Sequence, residues 1–277
     1  MRLPEIDHAW VQRAQQGELA ALDRLLLVIQ PAVYNLAMRM LNQREDAQDA
    51  TQEILLRITT HLASFRGDSR FATWMFRIAS NYLLTARSRA KESPALSLEG
   101  LAQKLGFGVQ LAERALAEGQ PRQLDPEDKL SAQRMALACT QGMLMCLDRE
   151  HRAAYVLDLT FGLDSATAAE VLEISPEAYR KRLSRARQRL DEFMRRQCGL
   201  VNACANCTCD KQLLAVEQAQ RLGMAKPTTR APEAELIALT ELGDAAAVFR
   251  AHPDYQVPQR VIETVRAVLK LHTGGWQ

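Results

Sequence analysis

The chain of 277 residues has few helix breakers, little net charge and no long apolar run. Thirteen glycines and ten prolines among abundant Leu, Ala, Gln and Arg favour an all-α protein. A net charge of +2 excludes a global polycation, so any basic surface must be local. No stretch of about 18 apolar residues occurs, so no membrane insertion is expected. The opening Met1-Arg2-Leu3-Pro4-Glu5-Ile6-Asp7 lacks the apolar segment of a secretory signal, which implies a cytoplasmic chain. No nucleophile–base pair and no glycine-rich phosphate loop is found, so the chain does not read as an enzyme. There is no internal repeat.

What is there falls into four stretches. Residues 8–91 read as one helical domain, broken near Gly17 and before Pro31, with further helices over 46–62 and 71–89. Residues 92–132 are interrupted by Pro94, Gly100, Gly106, Gly108, Gly119, Pro121 and Pro126 and read as a linker with one helix near 110–117. Residues 133–196 form a second helical domain. Residues 197–277 form a cysteine-containing helical extension, with helices expected over 212–222, 233–250 and 258–271.

The most informative segment is 160–196. Ala168 and Ala169 sit on a short apolar helix, Glu173-Ile174 makes a turn, and Ser175-Pro176 opens a second helix as N-cap and first helical residue. On that second helix Tyr179, Leu183, Ala186, Leu190 and Phe193 recur at three- and four-residue steps and share a face. Arg180, Lys181, Arg185, Arg187 and Arg189 fall largely elsewhere. A helix, a tight turn and a basic helix with a core stripe form a helix-turn-helix suited to a phosphate-lined major groove. The alternative is an ordinary solvated hairpin, but acids to balance the charge are almost absent before Asp191 and Glu192.

Two motifs stand in the first domain. Asp46, Asp49 and Glu53 lie within about 60° of one another on a helix, opposite a face of Ile54, Leu55 and Ile58. An acidic face is either plain solvated surface or a binding surface for a basic partner. Nothing beside these carboxylates suggests acid–base catalysis. Residues 65–89 then alternate aromatics with arginines: Phe65, Arg66, Arg70, Phe71, Trp74, Phe76, Arg77, Tyr82, Arg87. Arginine holds phosphates while rings stack on unpaired bases, the chemistry of single-strand binding. Ile78 and at least one ring are expected in the core. Phe65 in the loop and Asn81 on the helix are the expected base contacts.

Cys198, Cys204, Cys207 and Cys209 place four thiols in twelve residues. They suit zinc or another thiophilic metal, redox-sensitive thiols, or a structural turn. Cys139 and Cys146 are expected in the core. Beyond the cluster, residues 210–277 carry eight basic and eight acidic residues, so they show no nucleic-acid footprint.

Taken in order, four strings resemble the extracytoplasmic-function (ECF) group of bacterial RNA polymerase sigma factors. They are Asp46-Ala47-Gln48-Asp49-Ala50-Thr51-Gln52-Glu53, Phe65-Arg66-Gly67, Thr73-Trp74-Met75-Phe76-Arg77-Ile78-Ala79-Ser80-Asn81 and Arg182-Leu183-Ser184-Arg185-Ala186-Arg187. The resemblance implies a region 2-like domain over 8–91 and a region 4-like domain over 133–196. It implies that Asp46, Asp49, Gln52 and Glu53 bind the polymerase core. It implies that Phe65, Arg66, Arg70, Trp74, Arg77, Asn81 and Arg87 meet the −10 promoter element, with a base flipped near Phe65 and Asn81. It assigns the −35 element to Ser175, Glu177, Tyr179, Arg180, Lys181, Ser184, Arg185 and Arg187. The linker would thread the polymerase channel. Glu177-Ala178-Tyr179 departs from the small residue, Thr and Val common at that helix start, so no −35 base preference carries over. Some sigma factors with extended C-termini look similar from Cys198-Gly199-Leu200-Val201-Asn202 to Cys207 and Cys209, leaving Cys204 additional.

The expected function is therefore promoter recognition and DNA opening as a polymerase subunit, with no required cofactor. Its partners are the bacterial polymerase core and promoter DNA, with an anti-sigma factor as a further candidate. The alternative is a one-component helix-turn-helix regulator that never joins polymerase. The extension is expected to fold onto the other domains and tune them.

Overall fold

The computed structural model describes residues 6–85, 97–118, 126–224 and 244–273, with the side chains of 126–129 and 270–273 outside the description. Among the described residues the chain is mostly helical, with an isolated bridge between Cys198 and Cys207. It divides into two compact units, one of residues 1–92, 149–183 and 254–277, the other of 93–148 and 184–253.

In the first unit, α1 (His8–Gln15) starts at Asp7, whose carboxylate accepts from Ala9 N at 2.9 Å. Gly17 turns the chain at φ +88°, where a side chain would be strained. Helix α2 (Leu19–Leu41) runs straight through Pro31, where a break was expected. Pro31 removes one backbone donor, and its own carbonyl accepts from Asn35 Nδ2 at 2.9 Å. By length and composition α2 is apolar enough to cross a membrane, but Leu25, Leu26, Ile29, Val33 and Leu36 are its buried core residues, and Arg39 is buried with them. Asn42 ends it in the left-handed conformation at φ 56°.

Helix α3 (Arg44–His61) packs on α2, and α4 (Phe71–Leu84) packs on both. Phe76 on α4 is fully buried, with its ring 4.7 Å from that of Phe161. Phe161 follows α7 (Arg149–Leu159), which contacts α2 and α4 and sends Arg152 to the carbonyl of Met40. Helix α8 (Ser165–Val171) and the start of α9 (Pro176–Gln197) complete the helix-turn-helix.

In the second unit the helix expected near 110–117 is longer than the sequence suggests. Residues 98–117 form one continuous helix, α5 (Leu98–Ala117), despite Gly100, Gly106 and Gly108. Ser97 Oγ caps it by accepting from Gly100 N at 3.0 Å. Helix α10 (Cys209–Arg221) of the extension packs along α5 and α6 (Pro126–Met145). Ala112, Ala115, Leu214 and Ala215 are the buried contact, with Leu111 beside them. Gly108 lets Gln212 approach, since a Cβ there would meet Gln212 Oε1 at 2.4 Å, and Gln212 Nε2 donates to Leu105 O at 2.8 Å. A glycine that reads locally as a breaker is here a close-packing position. A short helix, α11 (Ala245–Arg250), is capped by Asp244. In the first unit the last described helix is α12 (Gln259–Thr273).

Candidate polymerase and nucleic-acid interfaces

On α3 the apolar and small residues Ala47, Ala50, Ile54, Leu55 and Ile58 are buried. Asp49 is exposed on the opposite side, with Asp46, Gln52 and Glu53 half-buried around it. The four residues named from the sequence thus share one outward arc of about 120°. Glu53 pairs with Arg57 at 2.9 Å, one turn along. Such an exposed pair is worth about 0.5 kcal/mol and does not close the face to a partner.

The N-cap Arg70 and, on α4, Trp74, Arg77 and Asn81 recur at four-, three- and four-residue steps and form one stripe. Arg77 pairs with Glu170 Oε1 at 2.9 Å, and Asn81 Nδ2 donates to Glu173 Oε2 at 2.9 Å. Two carboxylates from the helix-turn-helix therefore hold the polar groups of the stripe. Trp74 is half-buried in a trio with Phe65 and Phe71, ring centroids 5.2 to 5.4 Å apart. Phe65, expected as a base contact, is 8% exposed in that trio. In this conformation it is packing, because two neighbouring rings offer a better apolar surface than water. Ile78, expected in the core, is half-buried, while Phe76 supplies the expected core ring. Arg66 and Arg70 are exposed, and Arg87 lies outside the described residues.

The helix-turn-helix is built as its sequence suggests. Asp164 caps α8 by accepting from Ala166 N at 2.9 Å and Thr167 N at 3.0 Å. Those hydrogen bonds, Thr167's first, hold its carboxyl below the usual range. Ala168 and Ala169 are buried, Glu173 turns at φ 53°, and Ser175 Oγ caps α9 by accepting from Ala178 N at 3.1 Å. Tyr179, Leu183, Ala186 and Leu190 form the buried stripe. Tyr179 must be corrected: it is fully buried and its hydroxyl donates to Ala154 O at 3.1 Å, so it is a core residue and not a groove contact. Glu177, Arg180, Lys181, Ser184, Arg185 and Arg187 lie exposed on the outer arc. Glu177 spans to Lys181 at 2.7 Å, while Arg180 and Arg185 make no ion pair among the described residues. Arg182, buried further, pairs with Glu150 at 2.7 Å.

The cysteine turn follows α9. Cys198 and Cys207 face each other across the bridge, with Gly199 N donating to Cys207 O at 2.9 Å. Cys198, Cys207 and Cys209 line an apolar cavity of ≈ 30 Å³ with Cys139, Met135, Met143 and Met194. Cys204 is exposed and outside it. Burial pushes the thiols of Cys139, Cys198 and Cys207 up and that of Cys209 up to about 12, which disfavours thiolates there. Among the described residues no group of three His, Cys, Asp or Glu is gathered to hold a metal. The sequence missed Cys139 as a neighbour of the cluster. Its position on an apolar helix gave no signal beyond burial.

Comparison with known proteins bears on the two regions as wholes. Sigma-70 region 2 matches residues 27–92 and sigma-70 region 4 matches residues 137–190. The chain therefore carries the two regions of a sigma-70-type transcription factor. The RNA polymerase sigma-H factor of Pseudomonas aeruginosa is 27% identical over 197 residues, 70% of this chain and 96% of that protein. The ECF sigma factor SigW of Bacillus subtilis is 26% identical over 186 residues, 67% of this chain and 95% of that one. The ECF sigma-E factor of Escherichia coli is 28% identical over 189 residues, 67% of this chain and 92% of its own length. Among solved structures, a sigma factor RpoE crystallised with the anti-sigma factor NepR from Bartonella quintana is 22% identical, covering 62% of this chain and 95% of that one, with a TM-score of 0.39. These matches support an RNA polymerase sigma factor of the ECF type.

Proposed function

We propose that this sigma factor, itself without catalysis, directs promoter recognition and opening through three surfaces. Its domains are taken as 8–91 for region 2, 92–132 as linker, 133–196 for region 4, and 197–277 as extension. Asp46, Asp49, Gln52 and Glu53 on α3 bind the polymerase core in the cytoplasm. Arg66, Arg70, Trp74, Arg77, Asn81 and Arg87 take the −10 element. For Trp74, and for Phe65 as a base-stacking ring, this requires the aromatic trio to open. The exposed arc of α9, from Ser175 and Glu177 through Arg180, Lys181, Ser184, Arg185 and Arg187, enters the −35 major groove.

The observation that carries this reading is the outward arc of α9. A buried stripe fixes the helix from behind while Arg180 and Arg185 are exposed in front. Run-off transcription with bacterial core polymerase is the test. Specific initiation dependent on this chain is expected, and Asp49→Lys abolishes it by weakening core binding while Arg185→Ala weakens promoter binding. Duplex binding without any association with core would instead establish the one-component regulator.

Promoter recognition here requires no cofactor. Zinc or another thiophilic metal on Cys198, Cys204, Cys207 and Cys209 requires Cys204 to join the three thiols of the cavity. Stoichiometric metal in purified protein, lost on Cys204→Ser, supports that set. An anti-sigma factor remains a candidate partner, identified by pull-down with the full chain.

A further inference from the structure

Residues 254–266 are docked on region 2 through a built receptor. Asn35, on α2, is fully buried. Its Oδ1 accepts from Tyr255 N at 2.8 Å, and its Nδ2 donates to Tyr255 O at 3.0 Å. This reciprocal pair engages extended backbone as a neighbouring strand would. One turn along α2, Arg39 is 3% exposed, and its guanidinium lies 3.7 Å from Asp254 and 5.2 Å from the centroid of the Tyr255 ring. Arg39 Nη1 also donates to Asn35 Oδ1 at 2.7 Å, which ties the two receptor groups together. Burying an amide and a charge is costly unless both are met, and here residues of the extension help to meet them.

The segment that follows lies along α2 and α3. In α12, Val261, Ile262 and Val265 are buried. Arg266 makes a two-pronged pair with Asp23 of α2, at 2.5 and 2.6 Å, and Arg260 donates to Gln48 of α3. Gln48 is one turn before Gln52, so α12 stands at the edge of the arc assigned to the polymerase core. The region 4 match ends at residue 190, so this cover is an addition to the family's shared regions.

We propose that Asn35 and Arg39 form a receptor for an extended Asp-Tyr segment, and that the chain's own Asp254-Tyr255 fills it and seats α12 as an inhibitory cover beside the polymerase-binding face of α3. The inference rests on the polymerase reading of α3. A large partner that engages Gln52 from the Gln48 side meets α12 first. Core binding then draws only on the fraction of molecules whose cover is off, and apparent affinity falls by that fraction.

The test compares the full chain with Arg266→Glu, with Tyr255→Gly/Arg266→Glu, and with the charge swap Asp23→Arg/Arg266→Glu. Titration against core polymerase and hydrogen exchange of residues 254–269 are read together. Loosening variants are expected to raise exchange in that segment and to tighten core binding by about ten-fold, as for a cover closed nine-tenths of the time. The charge swap is expected to return both toward wild type. Equal, measurable affinities in wild type and loosened variants overturn the cover while leaving the polymerase reading intact. If the segment stays fully protected in Tyr255→Gly/Arg266→Glu, the receptor does not seat it and the proposal fails. If neither wild type nor any variant binds core, the polymerase reading fails and the inhibitory role goes with it.

Discussion

The two surfaces assigned to DNA are made of similar residues but differ in what occupies them. On α4, Arg77 and Asn81 are held by Glu170 and Glu173, and Trp74 leans on Phe65 and Phe71. On α9, Arg180 and Arg185 are exposed, and the pair Glu177–Lys181 spans only one turn of the same helix. Availability is therefore set by neighbours in space. Glu170 on α8 and Glu173 in the turn after it offer the α4 stripe the kind of anionic contact that a phosphate backbone offers, whereas Arg180 and Arg185 on α9 meet no such carboxylate among the described residues.

The largest effects separate the buried side of α9 from its exposed side. Tyr179→Ala is expected to cost about 3–5 kcal/mol, because it empties a packed site and removes the hydroxyl that donates to Ala154 O. Arg185→Ala should change stability by less than about 0.5 kcal/mol. It should still weaken −35 duplex binding and lower the slope of log affinity against log salt by about one. Chemical denaturation and anisotropy on the same samples give both numbers. If Tyr179→Ala proved as stable as wild type, or if Arg185→Ala lost its fold, the assignment of the two sides would be inverted.

The second effect bears on α4. Removing both carboxylates, as Glu170→Ala/Glu173→Ala, breaks one exposed ion pair and one exposed hydrogen bond. Each is worth about 0.2–1 kcal/mol. Single-stranded −10 oligonucleotides should then bind roughly two- to thirty-fold more tightly, taking 1.4 kcal/mol per ten-fold change. Duplex −35 binding should stay unchanged. Equal effects on both DNAs would mean that the variant acts through stability and that the two surfaces do not differ as argued.

The comparison also shows which features local sequence carries. Ser175-Pro176, the small pair Ala168-Ala169, and the three- and four-residue recurrence of Tyr179, Leu183, Ala186 and Leu190 are local signals, and each is found in its expected structural role. The acidic arc of α3 was equally legible, because its period is that of a single helix. Features that depend on distant partners were not. Pro31 leaves α2 unbroken within a densely buried helix, beyond the reach of a local breaker rule. Gly108 lies within a helix that packs on Gln212, more than a hundred residues away, and Cys139 joins the cysteine turn only through tertiary packing. Phe65 was assigned to DNA because it stands in a loop, but Phe71 and Trp74 meet it from the next helix. A sequence window shows a residue's own period and does not show who sits opposite.

The smallest effect tests whether Glu170 and Glu173 depend on how α8 begins. Asp164 is the N-cap, and its hydrogen bonds hold its carboxyl below the unfolded value. A depressed carboxyl contributes stability that is present above its unfolded pKa and is lost as pH falls through its folded pKa. Asp164→Asn keeps a neutral cap, and Asp164→Ala removes it at a cost of about 1 kcal/mol. In urea titrations the stability gap between wild type and Asp164→Asn should therefore narrow as pH drops below the ordinary aspartate range, while Asp164→Ala stays the least stable at neutral pH. Because α8 carries Glu170, and Glu173 lies in the turn after it, fraying of this helix should also loosen their hold on Arg77 and Asn81. Asp164→Ala should then bind −10 single strands slightly better than wild type, in the same direction as the double carboxylate variant and by less. A gap that is constant with pH would show that the cap acts through hydrogen bonding alone, and unchanged −10 binding would show that the carboxylates are placed by the rest of the fold.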